Sequence, residues 1–278
     1  MSYFTIDKDK CKRDGICAAE CPLRIIEFKK GQVPAPVEGW EQMCIRCGHC
    51  VTVCPHGAFS ISYMKPEDCP PVRKDMALSI EHVEHLLRSR RSIRSYQEKE
   101  IEKEKISKLI DIARYAPTGT NSQQVKWLVI NSREEVRNMA EMTVDWMRYL
   151  IKENNPVAMA YNLESIIAIW DSGYDIICRG APGLVIAHAP KEYAAAHVDS
   201  TIALTFLDLA APSFGLGSCW AGFFMMAASH WPPLQQSLSL PEGHSSFGAM
   251  MIGYPKYKYQ RLPLRKEPDI TWHKRNKK

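Results

Sequence analysis

Cys44-Ile45-Arg46-Cys47-Gly48-His49-Cys50-Val51-Thr52-Val53-Cys54-Pro55 decides how the first part of this chain is read. Its cysteines stand three, three and four residues apart and a proline closes the run, the C-x2-C-x2-C-x3-C-P spacing of an iron–sulfur ligand loop. A cubane offers one iron at each of four corners, and a tight loop brings three thiolates to three of them. The last cysteine of such a run ligates a different cluster, so Cys54 predicts a second run elsewhere. The alternative is a zinc site or four buried thiols, but zinc knuckles pair two C-x2-C arms across a longer gap.

The second run is Cys11-Lys12-Arg13-Asp14-Gly15-Ile16-Cys17-Ala18-Ala19-Glu20-Cys21-Pro22. Cys11, Cys17, Cys21 and Pro22 repeat the offsets of the later run, while Asp14 stands where the later run has Cys47, an internal repeat with one substitution. Crossover ligation gives one complete set, Cys44, Cys47, Cys50 and Cys21. The other set is Cys11, Cys17 and Cys54 with whatever serves at position 14. Three arrangements are open there: Asp14 as fourth ligand, a three-iron cluster with that corner empty, or a four-iron cluster with water on the open iron. Asp14 ligation of a four-iron cluster is the expectation, with the harder carboxylate holding that iron less tightly than a thiolate. Asp-Gly is also a common turn pair, so Asp14 as a turn residue before Gly15 is the competing reading. Ile25, Ile26, Phe28 and Val33 alternate enough for short strands under the clusters. Residues 1–65 thus read as a ferredoxin-like iron–sulfur domain.

The 278 residues allow one large or two ordinary domains, and 45% hydrophobic with 24% charged residues is ordinary globular composition. A net charge of +5 is too small to argue for nucleic acid. Of ten cysteines, seven fall in the first 54 residues at ligand spacing, and Cys69, Cys178 and Cys219 are scattered. Thiolates that hold iron need a reducing compartment. The amino terminus shows no apolar signal core, and no apolar run approaches the roughly 18 residues of a membrane span. The expectation is a cytoplasmic protein without membrane or nucleic-acid partners.

Residues 66–75, rich in proline and charge, read as a linker. Ser79 then caps an amphipathic helix carrying Ile80, Val83, Leu86 and Leu87. His82 and His85 on it lack a third ligand for a metal. The helix runs into Arg90-Arg91-Ser92-Ile93-Arg94-Ser95-Tyr96, a cluster of guanidinium groups suited to a phosphate, or else a solvated face. Further on, 100–115 reads as a helix, 125–130 and 183–189 as strands, 197–214 as an apolar helix at the centre and at a subunit interface, and 250–252 as a late strand. Trp146, Tyr149, Trp170 and Tyr174 either wall a substrate pocket or belong to core and interface. Cys178 and Cys219 read as buried and inert. No Gly-x-Gly-x-x-Gly, Gly-Lys-Ser/Thr or Gly-x-Ser-x-Gly motif marks a separate nucleotide-binding domain or a hydrolase elbow. The basic carboxyl-terminal tail from Trp272 to Lys278 is expected to fray.

From residue 76 onward the chain resembles the nitroreductase family. The landmarks are Arg90 to Tyr96, Ala116-Pro117-Thr118-Gly119-Thr120-Asn121-Ser122-Gln123, Gly215-Leu216-Gly217-Ser218-Cys219-Trp220-Ala221-Gly222-Phe223, and Ile252-Gly253-Tyr254-Pro255 followed by Arg265-Lys266, in that order. The sub-class resembled carries a two-cluster ferredoxin module in front. The fold implied is α+β: a ferredoxin-like module bearing two 4Fe-4S clusters, fused to a dimeric, FMN-dependent nitroreductase domain (76–278) with a central, mostly antiparallel sheet flanked by helices.

The resemblance also implies an FMN site. Arg90, Arg91, Ser92 and Arg94 match the segment that takes the flavin phosphate and, with its last basic group, approaches the ring. Pro117, Thr118, Gly119, Asn121 and Gln123 match a loop that lines the flavin. Ala221 and Gly222 match the turn whose amide faces N5, though the family more often has a bulkier or acidic residue at the position of Ala221. Arg265, with Arg261 or Lys266, matches basic residues that return to the phosphate. The function implied is an iron–sulfur flavoprotein oxidoreductase whose clusters relay single electrons to FMN for reduction of a small organic acceptor. The donor is a ferredoxin or NAD(P)H. The competing functions are an NAD(P)H-driven reductase with the clusters as an electron exit, a pure electron-transfer or flavin-storage protein, and nucleic-acid binding through the basic segments.

Overall fold

The computed structural model describes residues 4–273, so residues 1–3 and the last five residues of the tail expected to fray lie outside it. The chain forms two compact units. One comprises residues 1–77 together with the loop 118–123, the other residues 78–117 and 124–278.

In the first unit, strand β1 (Phe4–Ile6), helix α1 (Ile16–Ala19), strands β2 (Ile26–Glu27) and β3 (Ala35–Pro36), helices α2 (Trp40–Met43) and α3 (His49–Thr52) and strand β4 (Phe59–Ile61) follow in order. β1 pairs antiparallel with β4 and β2 with β3, so Ile26 lies in a short strand as its alternation suggests. The repeat seen in the sequence is also a repeat of backbone. The two cysteine runs are offset by 33 residues throughout. Arg13 and Arg46 have φ of 57° and 56°, Gly15 and Gly48 both 76°, Arg24 and Gly57 54° and 57°. Each run enters its one-turn helix through a left-handed glycine, and a β-carbon on Gly15 would stand 2.4 Å from the Phe28 ring. Only glycine meets both demands cheaply. Ile25, Ile26, Val51, Phe59 and Ile61 form the small core beneath the runs.

The second unit opens with α4 (Ile80–Ser89), capped by Ser79, whose hydroxyl accepts from the His82 amide at 3.3 Å. There follow α5 (Lys103–Ala113), β5 (Lys126–Ile130), α6 (Arg133–Lys152), α7 (Pro156–Ala160), α8 (Leu163–Asp171), β6 (Gly183–Pro190), α9 (Ala196–Ala210), β7 (Gly217–Trp220), α10 (Gly222–His230), α11 (Pro232–Ser237) and β8 (His244–Gly253). The apolar run expected to be helical as far as Phe214 leaves α-helical form after Ala210 and ends in a 3-10 turn containing Pro212.

The sheet order is β5-β6-β8-β7 with every neighbour antiparallel. β6 is buried along nearly its whole length because both faces are covered. Period-two alternation sorts its side chains: Leu184 and Ile186 pack with Val136, Ala140 and Met147 of α6 and Phe224 of α10. Val185 and Ala187 pack with Leu109 of α5 and with Leu204 and Leu207 of α9. Gly248 on β8 lets α9 lie close, since a β-carbon there would stand 2.3 Å from Leu204 Cδ1.

Of the four aromatics offered as a pocket wall or as core, Trp146 lies in the core cluster and Trp170 packs against the same cluster. Tyr149 stacks on Trp231, and Trp170 and Tyr174 lie by Arg137 and Arg179. Cys178 and Cys219 are buried, and burial raises the Cys178 thiol pKa, consistent with an inert role.

Candidate functional site

Two cavities in the first unit divide the residues named from the cysteine runs into two groups. One is lined by Cys21, Cys44, Cys47 and Cys50, with Leu23, Ile25, Ile26 and Trp40 around them. The other is lined by Cys11, Asp14, Cys17 and Cys54, with Lys12, His56 and Phe59. Each run thus lends its last cysteine to the other's cavity, because the helical turn after the glycine carries the chain from one to the other. All eight thiols and carboxylates named from the sequence are accounted for in these two sets. Among the described residues no three of His, Cys, Asp and Glu converge closely enough to hold a single metal ion. A cube of irons spaces its ligands, whereas one ion draws them together.

The donor chemistry fits clusters. Burial, reinforced by the neighbouring Cys47 and Cys44, pushes the Cys50 thiol up to about 12, and burial pushes Cys17 up to about 11. Any enclosed thiol is raised in this way, and a cation bound among these sulfurs would favour the thiolate form instead. The Ala58 amide donates to Cys54 Sγ at 3.4 Å, the kind of bond that tunes a cluster's potential. Asp14 Oδ1 accepts from the Ile16 amide at 3.2 Å, so the carboxylate does form the turn bond of the competing reading. Its Oδ2 lies 3.7 Å from His56 Nε2.

The loop Cys44–Cys47 is pinned at its two central carbonyls. Asn121 Nδ2 donates to the carbonyls of Ile45 at 3.2 Å and Arg46 at 3.0 Å, and the Tyr63 hydroxyl donates to that of Arg46 at 2.5 Å. Asn121 Oδ1 accepts from Gln123 Nε2 at 3.4 Å, and Thr118 Oγ1 accepts from the Gln123 amide at 3.1 Å. Thr120, Asn121 and Gln123 all have positive φ, near 50°, an unusual concentration for non-glycine residues. Pro117 is exposed, and Thr118 and Gly119 are half-buried.

In the second unit an open cleft of about 390 Å³ is lined by Arg90, Arg91, Ser218, Tyr257, Lys258 and Tyr259, with Leu86, Ile93, Leu216 and Pro255 as its apolar wall. Backbone bonds from Ile93 to Ser218 and from Gln97 to Tyr254 lay the arginine segment along β7 and the end of β8. Arg90 is oriented by the buried Asp208, 3.4 Å from its Nη1, and Ser218 Oγ donates to the other Asp208 oxygen at 2.5 Å. Arg91 lies over the Tyr259 ring. Two arginine forks beside an apolar wall suit a phosphate joined to a flat ring system.

Ser92 is half-buried on the same segment, and Arg94 is exposed. Arg261, Arg265 and Lys266 are exposed and do not line the cleft, where Lys258 is the basic group contributed by the C-terminal segment. The Ala221 amide is bonded to the Ala249 carbonyl at 3.0 Å. The amide of Gly222, first residue of α10, belongs to a helix start that leaves its amides without intrahelical acceptors. Asp208, His56, Tyr63 and the Tyr257–Tyr259 stretch were not singled out in the sequence. Of these only His56 carried a signal there, as the residue following Cys54-Pro55.

Comparison with known proteins agrees with this geometry. Residues 87–254 match the Nitroreductase family model and residues 3–55 the 4Fe-4S dicluster domain. A protein of Methanothermobacter thermautotrophicus named as an NADH dehydrogenase/NAD(P)H nitroreductase is 29% identical over 169 residues, covering 61% of this chain and 75% of its own. One of the same name from Archaeoglobus fulgidus is 26% identical over 175 residues, covering 62% and 84%. A solved nitroreductase with bound FMN from Bacteroides fragilis superposes with a TM-score of 0.56 at 21% identity, covering 69% of this chain and 98% of that one, a likeness of fold. With the family match spanning more than half of its 278 residues, the chain belongs to the nitroreductase family of oxidoreductases and carries a 4Fe-4S dicluster domain at its amino-terminal end.

Proposed function

We propose that this protein is an iron–sulfur flavoprotein in which two clusters relay single electrons to FMN for the two-electron reduction of a small organic acceptor, a nitroaromatic, a quinone or a similar compound. The observation that carries the reading is the sorting of two ligand sets into two cavities on the same chain as the arginine-lined cleft. When bound, the clusters would move electrons one at a time, and FMN would store two and deliver them as a hydride equivalent.

The chain's own residues have definable parts. Cys21, Cys44, Cys47 and Cys50 hold one cluster; Cys11, Cys17, Cys54 and Asp14 hold the other. Arg90 and Arg91 take the phosphate, with Asp208 holding the Arg90 fork in place. The Gly222 amide, at the first position of α10, is the donor at the turn matched to flavin N5, and Gly222 is open to an approaching ring, since a β-carbon there would meet nothing within 4 Å. Ser92, Arg94, Arg261, Arg265 and Lys266 remain candidates for phosphate contacts in a homodimer. The homodimer is supported by apolar side chains left uncovered in one protomer, Ile80 at 77% and Leu264 at 96% exposure among them. Among the described residues no helix is long and apolar enough to cross a membrane.

The names of the two relatives favour a second reading in which the donor is NAD(P)H, and the clusters would then serve as the electron exit. Anaerobic titration separates the two. Reduced ferredoxin is expected to bleach the flavin absorbance with cluster EPR signals appearing on the way. Rapid bleaching by NAD(P)H alone, with none by reduced ferredoxin, would overturn the proposed direction.

A further inference from the structure

The repeat provides an internal control for the cluster corner that lost its thiolate. After the first run the chain continues Cys21-Pro22-Leu23, and after the second Cys54-Pro55-His56, so His56 is the counterpart of Leu23 at the same offset of 33 residues. Leu23 lines the cavity of the complete set, where Cys47 occupies the second ligand position. His56 lines the other cavity, where Asp14 occupies that position. The runs differ at other offsets too, and His49 lines the complete set's cavity, but these two differences coincide: the cavity whose second ligand position holds a carboxylate is also the one lined by the imidazole that follows the last cysteine and its proline.

The geometry brings them together. His56 Nε2 is 3.7 Å from Asp14 Oδ2, while Asp14 Oδ1 is engaged by the Ile16 amide at 3.2 Å. Because left-handed φ values repeat at 13/46 and 15/48, position 14 is flanked by the same backbone as Cys47. The carboxylate, however, is partly committed to its turn. Imidazole is a good iron donor and replaces cysteine at iron–sulfur centres elsewhere.

We propose that His56 is an iron ligand at the corner that position 14 serves, so that this iron has two donors within reach, the Asp14 carboxylate and the His56 imidazole, either of which retains it. This rests on the reading of the amino-terminal unit as a two-cluster domain. It goes beyond that reading by assigning a nitrogen ligand that neither the cysteine spacing nor the crossover rule supplies.

The test compares wild type, Asp14→Asn, His56→Ala and the double variant, purified anaerobically. Asparagine keeps an oxygen for the Ile16 amide and so preserves the turn. Iron and sulfide are counted, and reduced samples are examined by EPR and by pulsed EPR with [15N]histidine labelling. Asp14→Asn is expected to keep about eight irons per chain and to show a strongly coupled histidine nitrogen that changes on labelling, while the double variant falls to about seven with a three-iron signal. Loss of iron in Asp14→Asn alone, or full iron retention there without nitrogen coupling, would overturn the proposal. The cluster held by Cys21, Cys44, Cys47 and Cys50 serves as reference in every sample. Its absence from wild type would overturn the iron–sulfur reading itself.

Discussion

Replacing Asn121 by alanine removes the two hydrogen bonds from its amide to the loop between Cys44 and Cys47, at 3.2 Å to Ile45 O and 3.0 Å to Arg46 O. Arg46 sits at a φ of 56°, a left-handed conformation that costs a non-glycine residue about 1–2 kcal/mol and that Arg13 shares in the first run, and the bonds to Asn121 offset that cost in the second. Each neutral hydrogen bond contributes about 0.5–1.5 kcal/mol net. Together they favour the closed loop by about 1–3 kcal/mol, a factor of about 5–150 in its opening equilibrium. Iron leaves this cluster only when a thiolate swings away, so release to a ferrous chelator under anaerobic conditions is expected to accelerate by a factor in that range. Samples quenched during release and examined by EPR assign the loss to one cluster. Tyr63→Phe, which removes the hydroxyl's bond to the same Arg46 carbonyl, is expected to give a smaller acceleration of the same cluster. A release rate within twofold of wild type, or equal acceleration of both clusters, would refute the idea that Asn121 holds the ligand loop.

Arg91→Ala should raise the FMN dissociation constant about ten- to hundredfold, the loss of a charge-assisted contact, and leave riboflavin binding within about twofold; equal losses for both, by fluorescence quenching, would place Arg91 away from the phosphate. Gly48→Ala sets a β-carbon 2.7 Å from Met64 Sδ at a φ of 76° and should lower occupancy of the complete cluster. Gly31→Ala, at φ 82° with nothing within 4 Å, incurs the backbone strain alone and should keep both clusters, as iron counts would show. Gly217→Ala drives a β-carbon to 2.3 Å from Ile93 Cγ1 and should displace the arginine segment, weakening FMN binding and lowering the melting temperature together; normal FMN affinity in a destabilised variant would uncouple the two.

How much of this was legible in the sequence depends on whether a feature repeats locally. The helix at Ile80 was legible from Ser79 and the apolar spacing behind it, and the strand at Gly183–Pro190 from its apolar run Leu184 to Ala187. What the run could not show was which strands flank it: β8 lies some sixty residues further along and pairs with it through a bulge after Ala187, a contact made by long-range packing rather than local propensity. The apolar helix ending was missed because Pro212 is tolerated in the first turn of a 3-10 segment, so the hydrophobic periodicity ran past the true end of α9.

At the site the division is between donors and their supports. Cysteine spacing pointed to seven candidate ligands and one substitution because a cluster demands its ligands at fixed offsets. It exposed nothing of Asn121, whose amide reaches the ligand loop from 75 residues away, or of Asp208, which steadies Arg90 across 118 residues, because a hydrogen bond leaves no periodic trace in a sequence. His56 is the intermediate case. It is visible as a departure from the repeat, but only once the backbone shows that the repeat preserves position: the same φ values at 13 and 46 and at 15 and 48 put Asp14 in the structural place of Cys47. Then Leu23 to His56 and Cys47 to Asp14 become two changes that meet, with His56 Nε2 3.7 Å from Asp14 Oδ2. Neither change compensates for the other in the sequence string; they do so only in the cavity they share.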